Sequence, residues 1–91
     1  SNEISTKAID KYTLTISKSF SKKFCNSSKF GISNDGAMRF SIGETNKEFL
    51  NNKLNKFVDY EFLKNDIVIS LQNDCQIYDF SIDKLENLVF K

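Results

Sequence analysis

The sequence contains no histidine, no proline and no tryptophan, and it has one arginine (Arg39) and one methionine (Met38). Without histidine, Ser-His-Asp and Cys-His catalytic sites are excluded, which leaves rarer Ser-Lys or carboxylate designs. The two cysteines cannot complete a structural zinc site alone, and they lie too far apart for a redox Cys-x-x-Cys pair. No apolar run approaches the roughly 18 residues of a membrane-spanning helix; the longest patches are of the size of Ile67-Val68-Ile69. Gly31, Gly36 and Gly43 match neither a dinucleotide-binding nor a phosphate-binding loop. They read as a helix stop, a helix start and a helix packing contact. A net charge of +1 argues against a polybasic nucleic-acid binder and against an acidic tail. Because Met38 is the only methionine, the chain lacks an initiator. The expectation is an N-terminal segment removed, a signal peptide or anchor being the usual kind, or a tag-cleavage scar at Ser1-Asn2. Residues 1–5 read as a disordered start.

What is present suits one small domain over residues 1–91. Forty per cent of the residues are hydrophobic, and nine Phe supply bulk for a core. Ile9, Tyr12, Ile16, Phe20 and Phe24 recur at three- and four-residue spacing, predicting a helix from about Thr6 to Asn26. Lys11, Lys18, Lys22 and Lys29 fall on its opposite face. Asn26-Ser27-Ser28 and Gly31 mark its end. Ser33 is the N-cap of a second helix, with Asp35 in its first turn and Met38, Ile42, Thr45 and Phe49 on one side. Mid-helix Gly43 implies that a neighbouring helix approaches closely there. Asn51-Asn52 reads as a break.

The third segment, about Leu54 to Cys75, carries a helical stripe of Leu63, Ile67 and Leu71, with Val68 and Cys75 on its shoulder. The same region supports an alternative, a hairpin over residues 66–82 turning at Asn73-Asp74, which would make the fold α+β. The helix is preferred, since Asn-Asp is a weaker hairpin turn than Asn-Gly. A short last helix then follows Ser81, whose hydroxyl can cap the run containing Ile82, Leu85, Val89 and Phe90. The predicted fold is an all-α domain of four helices.

Charge is unevenly spread. Residues 1–31 hold six Lys against Glu3 and Asp10, whereas residues 58–91 hold three Lys against seven acids. Complementary rims of the first and last helices account for this, and a two-signed surface that orients the domain on a partner is the sharper reading. The Lys11/Lys18/Lys22/Lys29 stripe could face anionic lipid or a phosphate backbone, but it lacks arginine and interleaved aromatics, so a solvated helix face is expected. Asp79 and Asp83 sit four apart without a calcium-loop pattern, and acids at a helix start already complement its dipole. No cofactor or metal is predicted. Asn26-Ser27-Ser28 also matches a glycosylation acceptor.

Cys25 and Cys75 fall at the ends of their predicted helices, where a bridge would staple the elements and imply an exported compartment. Two unrelated buried thiols in a cytosolic protein are the alternative. Phe24-Cys25, Phe30-Gly31-Ile32-Ser33, Ala37-Met38 and the later Cys75 resemble a little-characterised group of small helical proteins of cyanobacteria and chloroplasts, placed in the thylakoid lumen. No Gly-Tyr-Pro-like turn follows Cys75, in which the chain departs from that group. The resemblance covers residues 20–90 and implies a lumenal helical protein with a Cys–Cys bridge and no named active site. The expected function is therefore a non-enzymatic accessory protein that docks on a larger assembly, which the resemblance implies is photosynthetic. Phe30, Phe57, Tyr60 and Phe62, aromatics outside the helix stripes, are the candidate protein contacts. The alternative is a cytosolic regulatory protein binding a protein or nucleic acid through its Lys stripe.

Overall fold

The computed structural model describes residues 5–90, and every regular element among them is helical. Three α-helices, α1 (Thr6–Lys29), α2 (Asn34–Phe49) and α3 (Tyr60–Cys75), are joined and followed by 3-10 turns at Asn55–Phe57 and Ile82–Leu85. The expected disordered start falls, for residues 1–4, outside the described residues, while Ser5 is the N-cap of α1 and its hydroxyl accepts from the Ala8 N–H at 3.1 Å.

Helix α1 buries the predicted stripe: Ile16, Phe20 and Phe24 are sealed from solvent and Tyr12 nearly so. It continues three residues past the expected Asn26, because its terminal carbonyls are satisfied only after Gly31. Gly31 adopts φ +83°, its N–H donates to Ser28 O and the Ile32 N–H reaches back to Ser27 O, the left-handed closure that glycine takes without a Cβ penalty. Ser33 then caps α2 by accepting from the Gly36 N–H, as predicted.

Helix α1 packs against both other α-helices. The chain reverses after Gly31, so α2 runs antiparallel to α1, and Tyr12 meets Phe49 at the far end with ring centroids 5.8 Å apart. It reverses again through residues 50–59. Asn51 takes a positive φ of 67°, and the Asn52 side chain accepts from the Leu54 N–H. The predicted continuous third segment is therefore divided, and α3 starts only at Tyr60, where Asp59 caps it by accepting from the Phe62 N–H. Helix α3 runs parallel to α1 and buries Leu63, Ile67 and Leu71. That stripe continues unbroken to Cys75, so the alternative hairpin over 66–82 does not form, and no strand occurs among the described residues.

The fourth helix does not form either. Residues 77–90 descend between α2 and α3 as an irregular strap with a single 3-10 turn, and Ser81 makes no capping bond through its side chain. Phe80 packs edge-on against Phe24, Asn46 Nδ2 donates to Asn87 O, and Phe90 sits against Tyr60 and Phe49. Leu85, Leu88 and Phe90 are buried while Val89 is exposed. Spacings of three and then two residues fit a gap between helices rather than a helical face. Each sealed Leu contributes about 1.5–3 kcal/mol, so the strap supplies a layer that α2 and α3 cannot supply to each other.

One buried polar cluster closes the lower end. Tyr12 Oη donates to Asn55 Oδ1 at 2.6 Å, and Asn55 Nδ2 donates to Phe49 O at 2.8 Å. This fixes the Asn55–Phe57 turn against α1 and the end of α2. Burial, with a smaller repulsion from Tyr60, pushes the Tyr12 hydroxyl from 10.0 up to about 12. Gly43 is not the packing contact that its mid-helix position implied. It is exposed, and a Cβ built there meets nothing within 4 Å.

Candidate docking surface

The parallel run of α1 and α3 brings their C-terminal ends together, and Cys25 and Cys75 form a disulfide with Cα atoms 5.8 Å apart. Both cysteines are half-buried. Ser21 Oγ donates to Asp74 Oδ2 at 2.7 Å one turn below, a second tie between the same helix ends. An open polar hollow of about 410 Å³ lies beside the bridge, lined partly by Lys29, Asp74 and Gln76.

Lys11, Lys18, Lys22 and Lys29 are all exposed. Their spacings of seven, four and seven residues keep them within about 20° of one line along the helix, over about 27 Å. Among the described residues the ion pairs are Lys23–Glu48, Lys47–Glu44 and Lys64–Glu61, so none of the four stripe lysines is paired. Lys23 is different. It donates to Glu48 Oε1 at 2.7 Å and to Ser19 Oγ, tying α1 to α2. The Lys23 and then the Ser19 hydrogen bond hold the Glu48 carboxyl below its ordinary range.

The four aromatics singled out from the sequence do not form one patch. Phe30 is 85% exposed at the upper end of α1. Phe57 and Phe62 are exposed near the lower end, close to the Asn55 turn, with Lys56 Nζ 5.4 Å from the Phe57 ring centre. Tyr60 departs from the expectation. It is half-buried, its ring packs on Phe90, and its hydroxyl donates to Phe90 O and accepts from the Phe90 N–H. It holds the strap in place and is not a free contact.

What gathers around Phe30 instead is Ile32 and Phe40, two residues that the sequence reading left out of the surface. With Lys23, Asn26 and Ser27 they line an open hollow of about 390 Å³ where the end of α1 meets the outer side of α2. Phe40 and Ile32 are each about half exposed. The sequence signal was present, since Phe40 lies off the Met38/Thr45/Phe49 stripe, but only the turn at Gly31 folds Phe30 and Ile32 back beside it. Asp79 and Asp83 are both exposed on the strap rather than enclosed. Among the described residues no three Cys, Asp or Glu side chains converge as metal ligands, and no helix is long and apolar enough to cross a membrane. The glycosylation acceptor at Asn26 lies within α1, with Ser27 buried and Ser28 half-buried. Comparison with protein families, curated proteins and solved structures finds no match to this chain.

Proposed function

We propose that this chain is a small non-enzymatic interaction protein of an oxidising, exported compartment, a periplasm or a thylakoid lumen, where it docks on a larger protein assembly. If the lumenal resemblance holds, that assembly is photosynthetic. The observation that carries the compartment is the Cys25–Cys75 bridge, which joins two helix ends that the rest of the fold already brings together. Disulfides of this kind persist in exported compartments and are rare where glutathione and thioredoxin keep thiols reduced. The absence of histidine and three large apolar side chains turned toward solvent around one hollow favour binding over catalysis.

The test is the thiol state of the protein after equilibration in glutathione buffers of graded poise, with free thiols trapped by alkylation and counted by intact mass. A structural bridge stays oxidised until the poise falls below about −300 mV. Free alkylation at a cytosolic poise, with the melting temperature unchanged, would overturn the compartment. It would leave the cytosolic regulatory protein as the reading to pursue.

A further inference from the structure

We propose that the Phe30–Ile32–Phe40 hollow, with the lysine stripe as its border, receives an acidic amphipathic segment of the partner protein, most simply a helix. This rests on the interaction reading above and names the chemistry of what binds. Three observations lead to it independently.

The first is apolar exposure on a concave site. Phe30, Ile32 and Phe40 surround one hollow of about 390 Å³, a volume suited to one or two large side chains. A lipid surface asks for a convex apolar tip, whereas a hollow asks for something to fill it.

The second is charge. Lys22 and Lys29 lie one helical turn on either side of Asn26, which lines the hollow. Both are exposed and, among the described residues, outside any ion pair, and Lys18 and Lys11 extend the same line away from it. The nearest carboxylates on α2, Glu44 and Glu48, are engaged with Lys47 and Lys23. Lys29 shares the polar hollow beside the disulfide with Asp74, whose carboxylate accepts from Ser21; the free positive charge of this border is therefore carried by Lys22 and Lys18, and a partner carrying carboxylates beside its apolar residues complements it. A second copy meeting this face through a two-fold axis would set the stripe against itself, which disfavours a symmetric dimer.

The third is Gly43. It lies one turn along α2 from Phe40, on the exposed side, in the interior of a helix where glycine is unfavourable. A Cβ there would meet nothing within 4 Å, so no contact inside this molecule requires glycine. Gly43 does not line the hollow itself; it leaves open the outer shoulder of α2 beside Phe40, where a partner backbone can rest. Gly36, on the other side of Phe40, is already covered by Ile32, whose Cγ2 lies 3.0 Å from where its Cβ would be. The open shoulder of α2 beside Phe40 is therefore on the Gly43 side.

The experiment selects phage-displayed random peptides of about 16 residues, about four helical turns, against the oxidised protein. Vesicles containing phosphatidylglycerol and duplex DNA are run as parallel probes. The expected peptides carry several carboxylates with aromatic or branched aliphatic residues at helical spacing. Their affinity should fall at least about tenfold with Phe40→Ser, and with Lys18→Glu combined with Lys22→Glu. Gly43→Leu should weaken them as much while raising the melting temperature, a combination that loss of fold cannot produce. Circular dichroism verifies the fold of every variant.

Peptides without an acidic excess, or peptides that bind Phe40→Ser and Gly43→Leu as well as the wild type, would overturn the proposal. Failure to enrich any peptide would do the same. Vesicle or DNA binding that needs Lys18 and Lys22 but ignores Phe40 would replace it with an anionic lipid or nucleic-acid surface. Thiols are counted on the same samples. Reduced cysteines with acidic peptides bound would refute the exported compartment and leave this surface standing, and oxidised cysteines without peptides would do the reverse.

Discussion

Removing one hydroxyl at Tyr12 measures how much the lower end of the bundle depends on its single buried polar cluster. Tyr12→Phe keeps the ring against Phe49 but deprives Asn55 Oδ1 of its donor at a position only 6% exposed. A buried acceptor left without a partner costs about 1–3 kcal/mol; we expect about 1.5 kcal/mol, or a melting temperature lower by roughly 6–12 °C in a domain of this size. The pH dependence gives a sharper number. The Tyr12 hydroxyl is raised in the folded state from 10.0 to about 12, by burial first and Tyr60 second. Because the folded value is the higher one, its contribution is complete below about pH 10 and is lost as the pH rises through about 12. At about pH 11 the linkage already amounts to roughly 1 kcal/mol. The wild type's advantage over Tyr12→Phe should therefore shrink by about 1 kcal/mol between about pH 8 and pH 11. Urea melts of both proteins at the two pH values measure this directly, with the phenylalanine variant cancelling every pH effect that the two proteins share. A gap that stays constant across that range would refute a buried Tyr12–Asn55 bond.

Three further outcomes follow from the same structure. Replacing Cys25 and Cys75 by Ala releases a loop closed at a sequence separation of 50; the loss expected from chain entropy is about 4 kcal/mol, seen as a melting temperature lower by roughly 20 °C. A loss below about 1 kcal/mol would mean that the Ser21–Asp74 tie and helix packing already hold those ends. Thr45 buries a hydroxyl with no partner among the described residues, so Thr45→Val should stabilise the fold by about 1 kcal/mol in urea melts; destabilisation would show that the hydroxyl is satisfied in solution. Gln76 closes α3 in the left-handed region at φ 55°, so Gln76→Gly should gain about 0.5–1 kcal/mol, and an unchanged midpoint would place the end of α3 elsewhere.

Periodicity made the buried stripes of α1 and α3 legible because each helix turns one apolar face into the core. Ile16, Phe20, Phe24, Leu63, Ile67 and Leu71 all lie where their spacing puts them. Local chemistry was legible too, in the Ser33 cap, the Gly31 closure and the Asn51-Asn52 break. The strap was not. Leu85, Leu88 and Phe90 fill a space created by α2 and α3, and a segment that fits a gap has no period of its own. Asn55 was missed for a related reason, since its burial depends on two partners 43 and 6 residues away. Gly43 was misread because the sequence shows that the position is unfavourable for a helix but not which side of the helix it occupies. The candidate surface was half legible: Phe30 and the lysines stood out, but Phe40 and Ile32 join them only through the reversal at Gly31.

The returning strap also decides how the molecule can be held. It delivers Phe90 to the level of Phe49 and Tyr12, the same pole from which Ser5 opens α1. Phe30 stands at the other pole, about 27 Å further along α1 than Tyr12. A tether fixed to either described end, whether to a resin, a fluorophore or a bilayer, therefore presents the domain with its hollow and its disulfide facing outward.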